Sequence, residues 1–160
     1  MTVVAFSDSH RRYDRVHELF EKTHRTADLY IFLGDGISDI EDMLYLYPEK
    51  KILAVAGNCD YGSMEKFVGV TEGDRGHRIF YSHGHIQRVK WSLDELHRAA
   101  KENCCDLALF GHTHIKHCEY RDGIYLVNPG SLGNPHDGGQ PSYAVIQLLR
   151  EGILVNHVEL

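Results

Sequence analysis

Val3-Val4-Ala5-Phe6-Ser7-Asp8-Ser9-His10 stands near the start of the chain, and its character changes halfway along. Four apolar residues with no polar break read as a strand buried on both faces. They run straight into Asp, Ser and His, side chains that cap, ligate or carry protons. The same change recurs downstream. Leu29–Leu33 leads into Gly34-Asp35-Gly36, and Lys51–Ala56 into Gly57-Asn58-Cys59-Asp60. His77–Ser82 leads into His83-Gly84-His85, and Asp106–Phe110 into Gly111-His112-Thr113-His114.

Helical spacing fills the gaps between the first strands. Val16, Leu19, Phe20 and Thr23 share one face. So do Ile40, Met43, Leu44 and Tyr47 in a helix from Ile37 to Tyr47 that Pro48 ends. A β-α-β-α-β order implies parallel strands with helices on their faces. Glu72-Gly73-Asp74-Arg75-Gly76 reads as a hairpin turn between Lys66–Thr71 and His77–Ser82. Ser92 and Glu95 form a capping box ahead of a third helix carrying Leu93, Leu96, Ala99 and Ala100. The last third is all β, with turns at Arg121-Asp122-Gly123 and Arg150-Glu151-Gly152. The fold class predicted is α/β: a two-sheet β-sandwich flanked by helices, as a single domain over residues 1–160.

In α/β folds ligands collect at the carboxyl ends of strands. Each polar cluster alone has an ordinary explanation. Asp8 suits a helix N-cap, Gly34-Asp35-Gly36 a turn, and Gly57-Asn58 a loop. Alternate histidines in a strand point the same way with or without a ligand. Independent caps and turns do not explain why carboxylate, amide and imidazole follow one buried strand after another. Mixed carboxylate and imidazole donors suit Mn, Fe, Co, Ni or Zn. Seven candidate donors are too many for one such ion and suit two.

Composition excludes other classes. Seventeen Lys+Arg against 23 Asp+Glu give a net charge of −6. The only basic runs are Arg11-Arg12 and Lys50-Lys51, so a nucleic-acid polymer is not an expected partner. No apolar run approaches the ~20 residues of a membrane helix, and the start does not read as a signal peptide. Cys59, Cys104, Cys105 and Cys118 fit neither a zinc nor a disulfide pattern. Free thiols in the cytoplasm are the expectation. Of the 12 histidines, His17, His24, His97 and His157 read as solvated surface imidazoles. The oligomeric state is left open, a homo-oligomer being compatible.

The ordered blocks Asp8-Ser9-His10, Gly34-Asp35, Gly57-Asn58-Cys59-Asp60, His83-Gly84-His85 and Gly111-His112-Thr113-His114 resemble the calcineurin-like metallophosphoesterase superfamily. The likeness runs from Val3 to about Ser131. Arg88 to Asp94 and Asn128-Pro129-Gly130-Ser131 are similar to its small bacterial and archaeal phosphodiesterase branch, to which the retromer scaffold subunit is related. The resemblance implies that Asp8, His10 and His114 hold one metal, that Asn58, His83 and His112 hold a second, and that Asp35 bridges them. Manganese is the implied ion, with Fe, Co, Ni and Zn as alternatives. His85 follows a ligand by two residues; it contacts substrate phosphate, backs a ligand, or simply packs. Much of the superfamily has His where Cys59 stands, and that His protonates the leaving oxygen. A neutral thiol is a weak donor, and Cys59 also fits a small buried apolar side chain.

The function expected is hydrolysis of a small phosphodiester or nucleotide by hydroxide from a water shared between two cations. Uncharged Asn58 leaves the site net positive toward phosphate. The rival is a protein-binding scaffold of the same fold without catalysis.

Overall fold

The computed structural model describes residues 1–160. Strand β1 (Thr2–Phe6), helix α1 (Tyr13–Thr23), β2 (Leu29–Phe32), α2 (Ile37–Leu46) and β3 (Lys51–Ala54) form the first half. The hairpin β4 (Val68–Glu72) and β5 (Arg78–Ser82) follows, then α3 (Asp94–Glu102) and β6 (Leu107–Leu109). Strands β7 (Lys116–Arg121), β8 (Ile124–Pro129), β9 (Ser142–Leu149) and β10 (Gly152–Glu159) close the chain. Two five-stranded sheets result, ordered β10-β9-β1-β2-β3 and β4-β5-β6-β8-β7.

The apolar runs lack polar alternation because both faces of each central strand are covered. In β1, Val3 and Ala5 face the second sheet, meeting Ile79, Leu107, Leu109 and Val127. Val4 and Phe6 face outward onto Val16, Leu19 and Phe20 of α1 and onto Ile40 and Met43 of α2. Phe20 stacks on Tyr30 with ring centroids 4.1 Å apart, and Phe6 meets Phe20 edge-on at 6.0 Å. Each such buried aromatic contributes about 1.5–3 kcal/mol relative to exposure. Helix α3 covers the outer face of the second sheet through Leu96 and Ala100, against Phe80, Ala108 and Leu126.

Parallel pairing aligns the carboxyl ends within each sheet. Phe6 pairs with Phe32 and Phe32 with Ala54, while Tyr81 pairs with Leu109. The loops after β1, β2, β3, β5 and β6 therefore open along one edge of the sandwich.

Some expectations are corrected. Helix α3 starts at Asp94, and the capping box does not form. Ser92 Oγ accepts from the Asp94 N–H at 3.1 Å. The Ser92 N–H is already bonded to the Arg88 carbonyl at 3.4 Å, so it has no need of Glu95. Asp8 caps no helix, since α1 begins after Arg12. His157 is no free surface imidazole: its Nε2 donates to the Asn128 carbonyl at 2.7 Å, fixing β10 against β8. His97 is half-buried, 3.8 Å from Asp122.

Candidate metal centre

The five strand-end loops are sewn together by their backbones. Asp8 N–H donates to Gly34 O at 2.9 Å, and His10 N–H to Asp35 O at 3.1 Å. Gly111 N–H donates to His83 O at 3.0 Å. A side chain at Gly57 would collide with the Asp35 carboxylate, and one at Gly111 with Ser7 Oγ, so these positions need glycine for close approach. The polar residues are themselves bent backward. Asp8, His10, Asp35, His112 and His114 have φ of 53, 46, 59, 68 and 60°. Asp and His tolerate this left-handed region better than most residues, at a cost.

The side chains converge. His114 Nε2 lies 3.2 Å from His10 Nε2 and 3.2 Å from Asp8 Oδ1. His10 Nε2 is 3.8 Å from Asp35 Oδ2. On the other side, His83 Nε2 is 3.1 Å from Asn58 Oδ1, 3.2 Å from His112 Nδ1 and 3.5 Å from Asp35 Oδ2. Asp35 thus stands between two groups of donors. Its second oxygen accepts the Cys59 N–H at 2.7 Å.

The tautomers decide what these short distances mean. His83 Nδ1 donates to Leu33 O at 2.7 Å, and His114 Nδ1 to Asn134 O at 2.7 Å. A carbonyl accepts only, so the proton of each neutral ring sits on Nδ1 and Nε2 offers a lone pair. The partners of His83 Nε2 among Asn58 and Asp35 are oxygen acceptors as well. Asp8 Oδ1 is fully buried with no hydrogen bond. Lone pairs that face lone pairs at 3.1–3.5 Å need a cation between them. The donor set, carboxylate with imidazole and one amide, fits a divalent ion of the Mn-to-Zn series.

Without a metal, protons stand in. Burial pushes His114 down, but the Asp8 carboxylate facing it outweighs this and raises its pKa. Burial likewise opposes ionisation of Asp8, yet His114 and His83 hold its pKa below the usual value. Burial, then His83 and Lys90, depress His112 to about 4. Burial and the neighbouring His83 also lower His85.

All seven residues expected to hold metal lie in this cluster. His85 does not reach it directly. Its ring packs 5.3 Å from that of His83 and 6.1 Å from that of His112, with Phe67 edge-on at 5.5 Å. Cys59 is an exposed thiol at the rim beside Asp35, which excludes the alternative of a buried apolar side chain. Partial burial, with Asp35 and Asp60, pushes it up to about 11, so it stays neutral.

Three further residues support the seven donors. The Asp60 carboxylate accepts from the N–H groups of Asp35, Gly36, Ile37 and Gly57 at 2.7, 2.8, 2.9 and 2.8 Å. It ties the second loop to the third. Asn128 Nδ2 donates to Gly111 O at 2.8 Å and to Thr113 Oγ1 at 3.0 Å, fixing the histidine loop. Lys90 lines the mouth with His112, His114, Asn134 and His136. The signal for Asp60 was present in Gly57-Asn58-Cys59-Asp60, but a structural acceptor and a ligand look alike in one dimension.

Comparison with known proteins identifies the family. The family model described as the calcineurin-like phosphoesterase superfamily domain matches residues 1–151. The chain belongs to that superfamily. A Bacillus subtilis relative, the probable metallophosphoesterase YsnB, is 32% identical over 97% of this chain and 89% of its own length. A Streptococcus pneumoniae structure described as a predicted phosphoesterase is 25% identical, with a TM-score of 0.86 over 99% of this chain and 88% of that one. The Entamoeba histolytica Vps29 structure complexed with zinc shares the fold at 20% identity, with a TM-score of 0.75 over 99% of this chain and 98% of that one. No helix of the chain is long and apolar enough to cross a membrane.

Proposed function

We propose that the chain is a phosphodiesterase that works with two divalent cations. Asp8, His10 and His114 hold one, Asn58, His83 and His112 the other, and Asp35 touches both. The observation that carries this reading is the convergence of acceptor atoms on acceptor atoms on both sides of Asp35. Manganese is the ion we favour, with Fe, Co, Ni and Zn accommodated by the same donors. Such a pair, when bound, supplies hydroxide at neutral pH and offsets charge on phosphoryl oxygens.

The protein groups do the rest. The Leu33 and Asn134 carbonyls hold the Nδ1 protons of His83 and His114 and so aim the Nε2 lone pairs inward. Asn58 adds a ligand oxygen without negative charge, so a phosphate is not repelled. Lys90, at the mouth, presents an ammonium to the non-bridging oxygens of a phosphate seated there. Cys59, neutral at pH 7–8, is a poor proton donor to the departing oxygen. Small esters with acidic leaving groups are therefore the favoured substrates, and cytoplasmic placement belongs to the same proposal.

Metal analysis of chelator-free protein should approach two ions per chain, with turnover of bis(4-nitrophenyl) phosphate. A clean single-ion stoichiometry at saturating metal refutes the paired site. Two bound ions with no turnover of any diester would favour the scaffold reading instead.

A further inference from the structure

Beside the cluster, the edge of the sandwich opens into a cleft of about 640 Å³, bounded on one side by His10, Asp35 and Cys59. That volume is in the range of sites for drug-sized ligands and far exceeds what a phosphate needs. Its outer walls are polar: Arg11 from the first loop, Ser38 and Glu41 from α2, and Tyr61 and Ser63 from the third loop. The side chains of Arg11, Ser38, Glu41 and Tyr61 make no hydrogen bond or ion pair within the chain. Tyr61 is 92% exposed and rests on no core residue, so both its ring and its hydroxyl are available.

The cleft is placed by rigid parts. Arg11 has φ 66°, and its N–H donates to Asp39 Oδ2 at 2.9 Å, which also accepts from Ser9 Oγ at 2.6 Å. The third loop is tied down one residue before Tyr61 by the four backbone bonds to Asp60. A second opening adjoins the cleft and carries Lys90, His112 and His136. Cys59 and Asp35 line both openings. A phosphorus atom at the cluster can therefore send one substituent each way, as a diester requires and a monoester does not.

We propose that this cleft is a subsite for the non-leaving arm of the diester, and that the arm is an uncharged, hydroxylated, flat group of the nucleoside class. The inference rests on the phosphodiesterase reading above and names the substrate class of that site. Three features choose the class. An unpacked tyrosine at the edge offers a stacking face of the kind that holds bases without sequence preference. Arg11, Ser38 and Glu41 offer donors and acceptors for sugar hydroxyls and base edges. Apart from the proposed metal ligands, the lining carries the carboxylates of Glu41 and Asp60 against the single guanidinium of Arg11, so a second phosphate on the arm finds no net positive charge there.

The test holds the leaving group constant and changes only the arm. Thymidine 5′-(4-nitrophenyl phosphate) is compared with methyl 4-nitrophenyl phosphate on manganese-loaded protein. The nucleoside ester should be preferred in kcat/KM by about tenfold or more, inside the range that base stacking supplies. Tyr61→Ala should bring the ratio of the two esters toward one, while Tyr45→Ala, on an exposed residue outside the cleft, keeps the wild-type ratio. A second readout needs no turnover. Saturation-transfer NMR with thymidine and EDTA-treated protein should show base protons in contact with the wild type and not with Tyr61→Ala. Equal kcat/KM for the two esters, or a ratio unmoved by Tyr61→Ala, overturns the subsite and leaves the phosphodiesterase reading standing. Failure to hydrolyse either ester overturns that reading, and with it the subsite as part of an active centre.

Discussion

Asp60 should be the most stability-critical carboxylate outside the candidate ligands. Each of its oxygens accepts two backbone N–H groups, Gly36 and Ile37 on one side and Asp35 and Gly57 on the other, all at 2.7–2.9 Å. It also lies at the N-terminus of α2, where negative charge is favoured. Hydrogen bonds to a charged partner contribute about 1.5–3 kcal/mol each, and orphaned donors cost about 1–3 kcal/mol. The four are not additive, and Asp60 is half-buried, so water recovers part of the loss. Asp60→Ala should cost roughly 3–5 kcal/mol. Asp60→Asn keeps one acceptor but turns an NH₂ toward two donors, and should cost roughly 2–3 kcal/mol. At roughly 2–4 °C per kcal/mol for a domain of this size, the Asn variant melts about 5–10 °C lower. Urea unfolding in EDTA measures this free of metal linkage. If Asp60→Ala unfolds within about 1 kcal/mol of wild type, the four contacts do not carry the stability assigned to them.

Other outcomes follow from the same geometry. Asp35→Asn should lower manganese affinity at both sites and cut diester turnover more than about a hundredfold, beyond the 10–100-fold that loss of an outer partner reaches; His17→Ala should match wild type, and near-normal turnover of Asp35→Asn at saturating metal would contradict a shared ligand. A series of esters over leaving-group pKa should show a steep fall in rate toward alkyl alcohols, and Cys59→His should flatten it, since positioned acids add about 10²–10⁴-fold. A flat wild-type series would show that another group supplies the proton. In EDTA-treated protein the His112 C2–H resonance should titrate near pH 4, because burial, then the neighbouring His83 and Lys90, favour the neutral ring. The unfolded ring binds its proton first as pH falls, so this residue lowers stability progressively between its unfolded pKa of 6.5 and about 4. A midpoint near 6.5 would remove that contribution.

The site was legible because parallel strands put chemistry at their ends. The apolar runs at Val3–Phe6, Leu29–Leu33 and Asp106–Phe110 locate those ends within a residue or two. What the chain order hides is lateral order. Nothing local says that β8 inserts beside β6, leaving β7 at the edge, or that β9 and β10 return to β1. Those pairings depend on which apolar faces meet across the sandwich. The same blindness applies to Asp60 and Lys90, whose roles depend on partners distant in sequence or on a shared cavity. Ser92 and Glu95 show the converse error, where a local signature is pre-empted because the Ser92 N–H is bonded to Arg88 before the helix begins.

The left-handed backbone at Asp8, His10, Asp35, His112 and His114 has a consequence for descent. Each such residue costs roughly 1 kcal/mol or more, and five together approach the net stability of an ordinary domain, about 5–15 kcal/mol. Glycine at His10 or His112 would relieve part of that load in metal-free protein. Selection for folding alone therefore slopes downhill, away from the constellation. A lineage released from catalysis should drift toward glycine and asparagine at these five positions first, gaining robustness as it does so. The freed stability would then be available for new surface contacts.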